Sequence, residues 1–123
     1  MTKILLIDDD EDFNESLKDC LEYEGFTVVC AFGGKQGLSL LQVEQPDLVM
    51  TDILMPGFDG IEFLAALKEM SLGFPVKVIA MSGGGRIAGK EYLSVAKTIG
   101  ADCVFEKPLD IDEVVGTIKG LLN

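Results

Sequence analysis

Lys3-Ile4-Leu5-Leu6-Ile7-Asp8-Asp9-Asp10-Glu11-Asp12-Phe13 is the stretch from which the rest of the chain can be read. Its aliphatic run has no polar alternation, so it predicts a short strand covered on both faces rather than one lying half in water. The run stops at Asp8. From residue 11 the apolar positions change period: Phe13, Leu17, Cys20 and Leu21 fall at helical spacing over residues 11–24, and Gly25 supplies a helix stop. A strand, an acidic turn and a helix thus follow one another.

The same unit recurs to the end of the chain. Phe26–Cys30 is a second short β-branched run, followed from Gly33 and Gly34 by a weaker helical pattern through Leu38, Leu40 and Leu41 that Pro46 ends from beyond. Asp47–Thr51 is the third run; Pro56, Gly57 and Gly60 mark a loop, and Ile61, Leu64, Ala65 and Leu67 a helix. Val76–Met81, opened by Pro75, is the fourth, and the glycines Gly83–Gly85 lead to a helix through Tyr92, Leu93, Ala96 and Ile99, stopped by Gly100. Asp102–Glu106 is the fifth and shortest run. The last helix has the clearest period, with Ile111, Val114, Val115, Ile118, Leu121 and Leu122 on one stripe and Asp110 with Glu113 as a capping pair. Five strands, each followed by a helix and each apolar on both faces, predict an α/β fold: a single doubly wound domain over residues 1–123, its parallel sheet flanked by five helices.

With 123 residues, 48% hydrophobic and 25% charged, the chain can bury a core without disulfides or metal staples. No apolar run approaches the ~18 residues of a membrane span, and the run before Asp8 is too short for a signal peptide. A cytoplasmic location with no membrane association is therefore expected. The absence of histidine rules out a Ser-His-Asp triad, a His-ligated zinc and an internal phosphohistidine. Tryptophan is absent too, aromatic residues make up only 7%, and 21 acids against 10 bases leave a net charge of −11. That charge repels a phosphate backbone and argues against direct nucleic-acid binding. Cys20, Cys30 and Cys103, odd in number and without a Cys-x-x-Cys pair, read as reduced, small apolar side chains.

Ligands of doubly wound sheets bind beyond the carboxyl ends of the strands, so the residues that follow each run matter most. Asp8 and Asp9 follow the first run, Asp52 the third, Ser82 the fourth, and Lys107 with Pro108 the fifth; Cys30-Ala31-Phe32 offers nothing ionic after the second. Parallel strands all point one way, so these carboxylates, a hydroxyl and an ammonium share one edge. Crowded carboxylates repel one another. A hard divalent cation such as Mg²⁺ compensates, because it takes carboxylate and carbonyl oxygens and bridges to phosphoryl oxygens. Lys107 adds a charge for a second anionic oxygen, and Ser82 a hydroxyl donor. The parts suit phosphoryl transfer, with Asp52 as the nucleophile. Asp10, Glu11 and Asp12 read instead as a solvated helix start, favourable at the dipole.

Ile7-Asp8-Asp9-Asp10, Thr51-Asp52-Ile53-Leu54-Met55-Pro56-Gly57, Met81-Ser82-Gly83 and Lys107-Pro108 resemble, in this order and across the whole chain, the motif set of bacterial two-component response-regulator receiver domains. The resemblance implies a flavodoxin-like, five-stranded sheet in the order 2-1-3-4-5. It implies Asp52 as phospho-acceptor, and Asp8, Asp9, Asp52 and the backbone carbonyl of Leu54 as Mg²⁺ ligands. Ser82 matches the switch hydroxyl, Lys107 the phosphate-binding lysine, and the bond before Pro108 the family's usual cis peptide. The function so implied is a phosphorylation-dependent signalling switch that catalyses only its own phosphorylation and dephosphorylation, and so is not an enzyme in the ordinary sense. Its phosphoryl donor is a sensor histidine kinase or a phosphotransfer protein, since the chain has no histidine of its own. Its output is altered binding of a downstream protein effector, the chain being a monomer or weak homodimer. Two features depart from the family. Val104 stands where many receivers carry an aromatic residue or histidine, with Phe105 on the opposite face of the strand, and the stretch from Ser82 to Lys107 is a few residues longer than usual, the surplus near Gly83–Gly85. Leu54 and Gly84, at positions that tune attack by water, cannot orient one, which predicts a long-lived phosphoryl adduct.

Other readings of the same residues weaken on inspection. Asp8-x-Asp10 resembles the nucleophile motif of haloacid dehalogenase-like phosphatases, but Asp12 stands where they have Thr or Val. A flavodoxin-like FMN electron carrier shares the acidic pI, near 4.2, yet Asp8 to Asp12 would repel its phosphate. Asp8, Asp10 and Asp12 mimic a calcium loop with Phe13 in place of the required glycine, and Gly84 to Lys90 mimics a phosphate-binding loop with Glu91 in place of Ser or Thr.

Overall fold

The aliphatic runs form the five strands of one parallel sheet, β1 (Lys3–Ile7), β2 (Thr27–Ala31), β3 (Leu48–Asp52), β4 (Lys77–Gly83) and β5 (Cys103–Lys107). Their order is β2-β1-β3-β4-β5, as the resemblance implies. The structure, a computed structural model, describes residues 2–53, 60–83, 94, 97–98 and 100–123. Four helices lie among the described residues: α1 (Glu11–Tyr23), α2 (Gly34–Glu44), α3 (Gly60–Glu69) and α4 (Ile111–Leu122). The helix expected through Tyr92, Leu93, Ala96 and Ile99 falls at residues outside the described ones. So do Leu54, Pro56, Gly57, Gly84, Gly85 and the phosphate-loop mimic.

Strand alternation sorts the core into two layers. Leu5, Ile7, Val49, Val78, Ala80 and Val104 face one side, where α2 and α3 supply Leu41, Phe63, Leu64 and Leu67. Ile4, Leu6, Met50, Ile79, Met81 and Phe105 face the other, against Leu17 and Leu21 of α1 and Val114, Val115 and Ile118 of α4. Val104 and Phe105 therefore do lie on opposite faces. Burial on both sides is why these strands read as unbroken apolar runs.

Helix ends follow local chemistry. Asp10 caps α1 by accepting from the Phe13 amide at 3.1 Å, and Asp110 caps α4 by accepting from the amides of Asp112 and Glu113. Gly25, at φ +98°, closes α1 with paired bonds, Gly25 N–H to the Glu22 carbonyl and Phe26 N–H to the Leu21 carbonyl. Two expectations need correction. Cys20 is exposed, and the inward residues of α1 are Asn14, Leu17 and Leu21. Asp52, Ser82 and Lys107, expected just past runs ending at Thr51, Met81 and Glu106, lie within the strands themselves, because backbone pairing continues past the last apolar side chain: Asp52 pairs with Met81, Ser82 with Glu106 and Gly83 with Lys107.

Candidate functional site

The site grows from the strand ends. Asp8 continues the β1–β2 ladder by one bond, its amide donating to the Ala31 carbonyl at 3.1 Å. That bond holds its side chain inside, where it is fully buried. Asp8 Oδ1 accepts from the Asp10 amide at 3.0 Å, and Oδ2 pairs with the Lys107 ammonium. Asp9 turns to solvent. Asp52 ends β3, is buried, and has its Oδ2 at 3.6 Å from Lys107 Nζ. Asp8, Asp9 and Asp52 each offer a carboxylate oxygen within 4.8 Å of the others. Ser82, on β4, is buried, and its hydroxyl has no hydrogen-bond partner among the described residues. The Lys107–Pro108 peptide is cis.

Every predicted side chain of the site, Asp8, Asp9, Asp52, Ser82 and Lys107, thus lies at the carboxyl edge of the sheet; the three acids converge, and Asp8 and Asp52 meet the lysine. The Leu54 carbonyl lies outside the described residues. Three clustered carboxylates, with one ammonium beside two of them, leave negative charge uncompensated in a partly buried place, where such repulsion is poorly screened. The donors are all hard oxygens. A hard divalent cation therefore fits this set, and a phosphoryl oxygen beside it would have both the Lys107 ammonium and the buried Ser82 hydroxyl to meet.

Sequence reasoning missed two neighbours. Asn14 is buried, and its Nδ2 donates to the carbonyl oxygens of Asp8 at 2.7 Å and Ala31 at 3.2 Å, joining the ends of β1 and β2. Its spacing from Leu17 and Leu21 places it on the inward stripe of α1, a signal readable as i, i+3, i+7. Phe13, read only as an apolar helix residue, has its ring 4.0 Å from Lys107 Nζ, measured to the centroid. No local pattern could show that contact.

Residues 4–119 match the family described as the response regulator receiver domain. The chain belongs to this family. This receiver domain is 38% identical over 125 residues to the transcriptional regulatory protein CpxR of Escherichia coli K12, a match covering 100% of this chain and 50% of that protein. The chain therefore spans about half the length of such relatives. It is also 35% identical over 120 residues to sporulation initiation phosphotransferase F of Bacillus subtilis 168, covering 98% of this chain and 93% of that protein. Among solved structures it is similar to a CheY-like response regulator receiver domain protein from Methanospirillum hungatei JF-1, with a TM-score of 0.87, 30% identity, and coverage of 99% of this chain and 94% of that one. A receiver domain is a phospho-accepting signalling switch rather than an enzyme acting on a separate substrate. The phosphatase and flavin-carrier readings are set aside on that ground. Among the described residues no helix is long and apolar enough to cross a membrane.

Proposed function

We propose that Asp52 is the phospho-acceptor of this receiver domain, that Asp8, Asp9, Asp52 and the Leu54 carbonyl hold Mg²⁺, and that Lys107 and Ser82 engage the phosphoryl group. The observation that carries the reading is the convergence of three carboxylates, two of them beside the Lys107 ammonium, with a buried Ser82 hydroxyl that has no partner among the described residues. Asp8 has both oxygens engaged, by the Asp10 amide and by Lys107, which suits a positioning and metal-binding role. In the transfer an Asp52 carboxylate oxygen bonds to phosphorus as the donor's P–N bond breaks. The electron pair leaves with the imidazole nitrogen, which takes up a proton. Held by these ligands, Mg²⁺ would supply positive charge to offset that of the phosphoryl group. Lys107 then shares its hydrogen bonds between Asp8 and a phosphoryl oxygen, and Ser82 gains an acceptor. A buried hydroxyl drawn toward a new charge is a local change able to bias a two-state element.

The donor in this reading is the phosphohistidine of a sensor histidine kinase or phosphotransfer protein, and the reader is a downstream protein effector. Residues 1–123 act as one cytoplasmic receiver unit, a monomer or weak homodimer. Acetyl phosphate with Mg²⁺, followed by intact-protein mass, tests the assignment. Wild type gains a single acid-stable, hydroxylamine-labile phosphoryl group, Asp52→Asn gains none, and EDTA slows the reaction at least about tenfold. Equal rates with and without EDTA, or an Asp52→Asn protein modified at Asp8, would overturn it.

A further inference from the structure

Phe13 sits in the first turn of α1, its amide held by the Asp10 cap at 3.1 Å. Its ring is thereby anchored at the site edge, with the Lys107 ammonium 4.0 Å from the centroid. The same ammonium pairs with Asp8 and stands 3.6 Å from Asp52 Oδ2. We propose that Phe13 is a positioning residue for Lys107, its ring face holding the ammonium between Asp8 and Asp52, ready for the incoming phosphoryl oxygen. The inference rests on the reading of Lys107 as the phosphate-binding cation.

The chemistry favours a ring in this role. A third carboxylate partner would fix the ammonium but would also consume an N–H donor and cancel the charge that the phosphoryl group needs. A phenyl face attracts the cation through its quadrupole, takes no full hydrogen bond, and leaves the charge intact. It also keeps water from one side of the ammonium, which is only 19% exposed as a side chain, so the attraction is weakly screened. Leucine at position 13 would fill similar space without the quadrupole.

Phe13 also lines an apolar groove of about 430 Å³ with Leu17, Pro108 and Leu109, so a protein donor could feel its loss through docking alone. Acetyl phosphate, too small to need that groove, avoids the confusion. The test compares wild type, Phe13→Leu, Phe13→Tyr and a chain carrying pentafluorophenylalanine at position 13, with urea midpoints to verify folding. Two quantities are read: the rate of adduct formation at Asp52, and the proton shifts of the Lys107 ε-methylene. Ring shielding should move those protons upfield in wild type and Phe13→Tyr, and the displacement should vanish in Phe13→Leu. Phosphorylation should slow about three- to tenfold in Phe13→Leu. It should slow at least as much with the fluorinated ring, whose face repels a cation, and recover to within about twofold of wild type in Phe13→Tyr. Wild-type rates in both Phe13→Leu and the fluorinated chain, or Phe13→Tyr as slow as Phe13→Leu, would overturn the positioning role while leaving Asp52 and Lys107 standing. A wild type that takes no phosphoryl group at Asp52 would instead overturn the site assignment, and this role with it.

Discussion

Asp8, Asp9 and Asp52 crowd one another, and the exposed member, Asp9, contributes charge at least cost to remove. Asp9→Asn should therefore raise metal-free stability by about 0.5 kcal/mol and abolish the extra stabilisation that Mg²⁺ gives wild type at matched ionic strength. Urea midpoints in EDTA and in millimolar Mg²⁺ check both parts; an Asp9→Asn protein still stabilised by Mg²⁺ would sink the ligand assignment. Asn14 carries the opposite burden, since it supplies hydrogen bonds rather than charge. Asn14→Leu should cost about 2 kcal/mol, and Asn14→Asp more, because its carboxylate would face two carbonyl oxygens in a buried place. Cys30 and Cys103 show a third effect. Burial pushes both thiols above their ordinary value of 9.0, opposed at Cys30 by Lys18 and at Cys103 by a backbone hydrogen bond from Val104. The folded chain holds these protons more tightly than the unfolded one, so their contribution is whole below the ordinary thiol range and is lost as pH rises through the raised values. Replacing both with Ala should flatten the alkaline arm of stability against pH, as denaturation at stepped pH would show.

At the level of elements, the termini follow rules that the sequence states openly, with one exception. Gln45 closes α2 at φ +46°, a left-handed conformation that disfavours a side chain. Gln45→Gly should stabilise by about 0.5–1 kcal/mol, read as a shifted urea midpoint. Two glycines differ in what surrounds them. A Cβ on Gly60 would strike the Asp52 carbonyl oxygen, which is backbone, whereas one on Gly37 would meet the end of the Ile7 side chain, which can turn away. Gly60→Ala should cost at least about 3 kcal/mol and slow phosphorylation by displacing Asp52, while Gly37→Ala should cost about 1 kcal/mol and leave the rate alone. Similar losses in the two would contradict that distinction. The caps at Asp10 and Asp110 were legible because capping is a contact between near neighbours. The inward face of α1 was legible only in part: Cys20 looked apolar enough to be buried, yet the stripe that meets the sheet contains Asn14 instead, because β1 and β2 end with carbonyls that need a donor there.

Over the whole molecule, a net charge of −11 opposes compaction. Stability should rise with NaCl up to about 0.2 M as repulsion is screened, and a flat series of urea midpoints would show that the acids are already compensated locally. The sequence by itself determined the kind and order of the elements, since a strand buried on both faces and a helix with one apolar stripe impose periods of their own on neighbouring residues. It also determined which charges stand at which strand ends, and the parallel direction then placed Asp8, Asp9, Asp52, Ser82 and Lys107 on one edge. Only the tertiary structure decided which acid takes the lysine. Asp8 and Lys107 are 99 residues apart, and their pairing depends on the stagger of four strands and on the bond that carries Asp8 past the end of β1. The ring of Phe13 beside that ammonium is decided in the same way, because a contact across the sheet depends on register and side-chain direction, which no local period encodes.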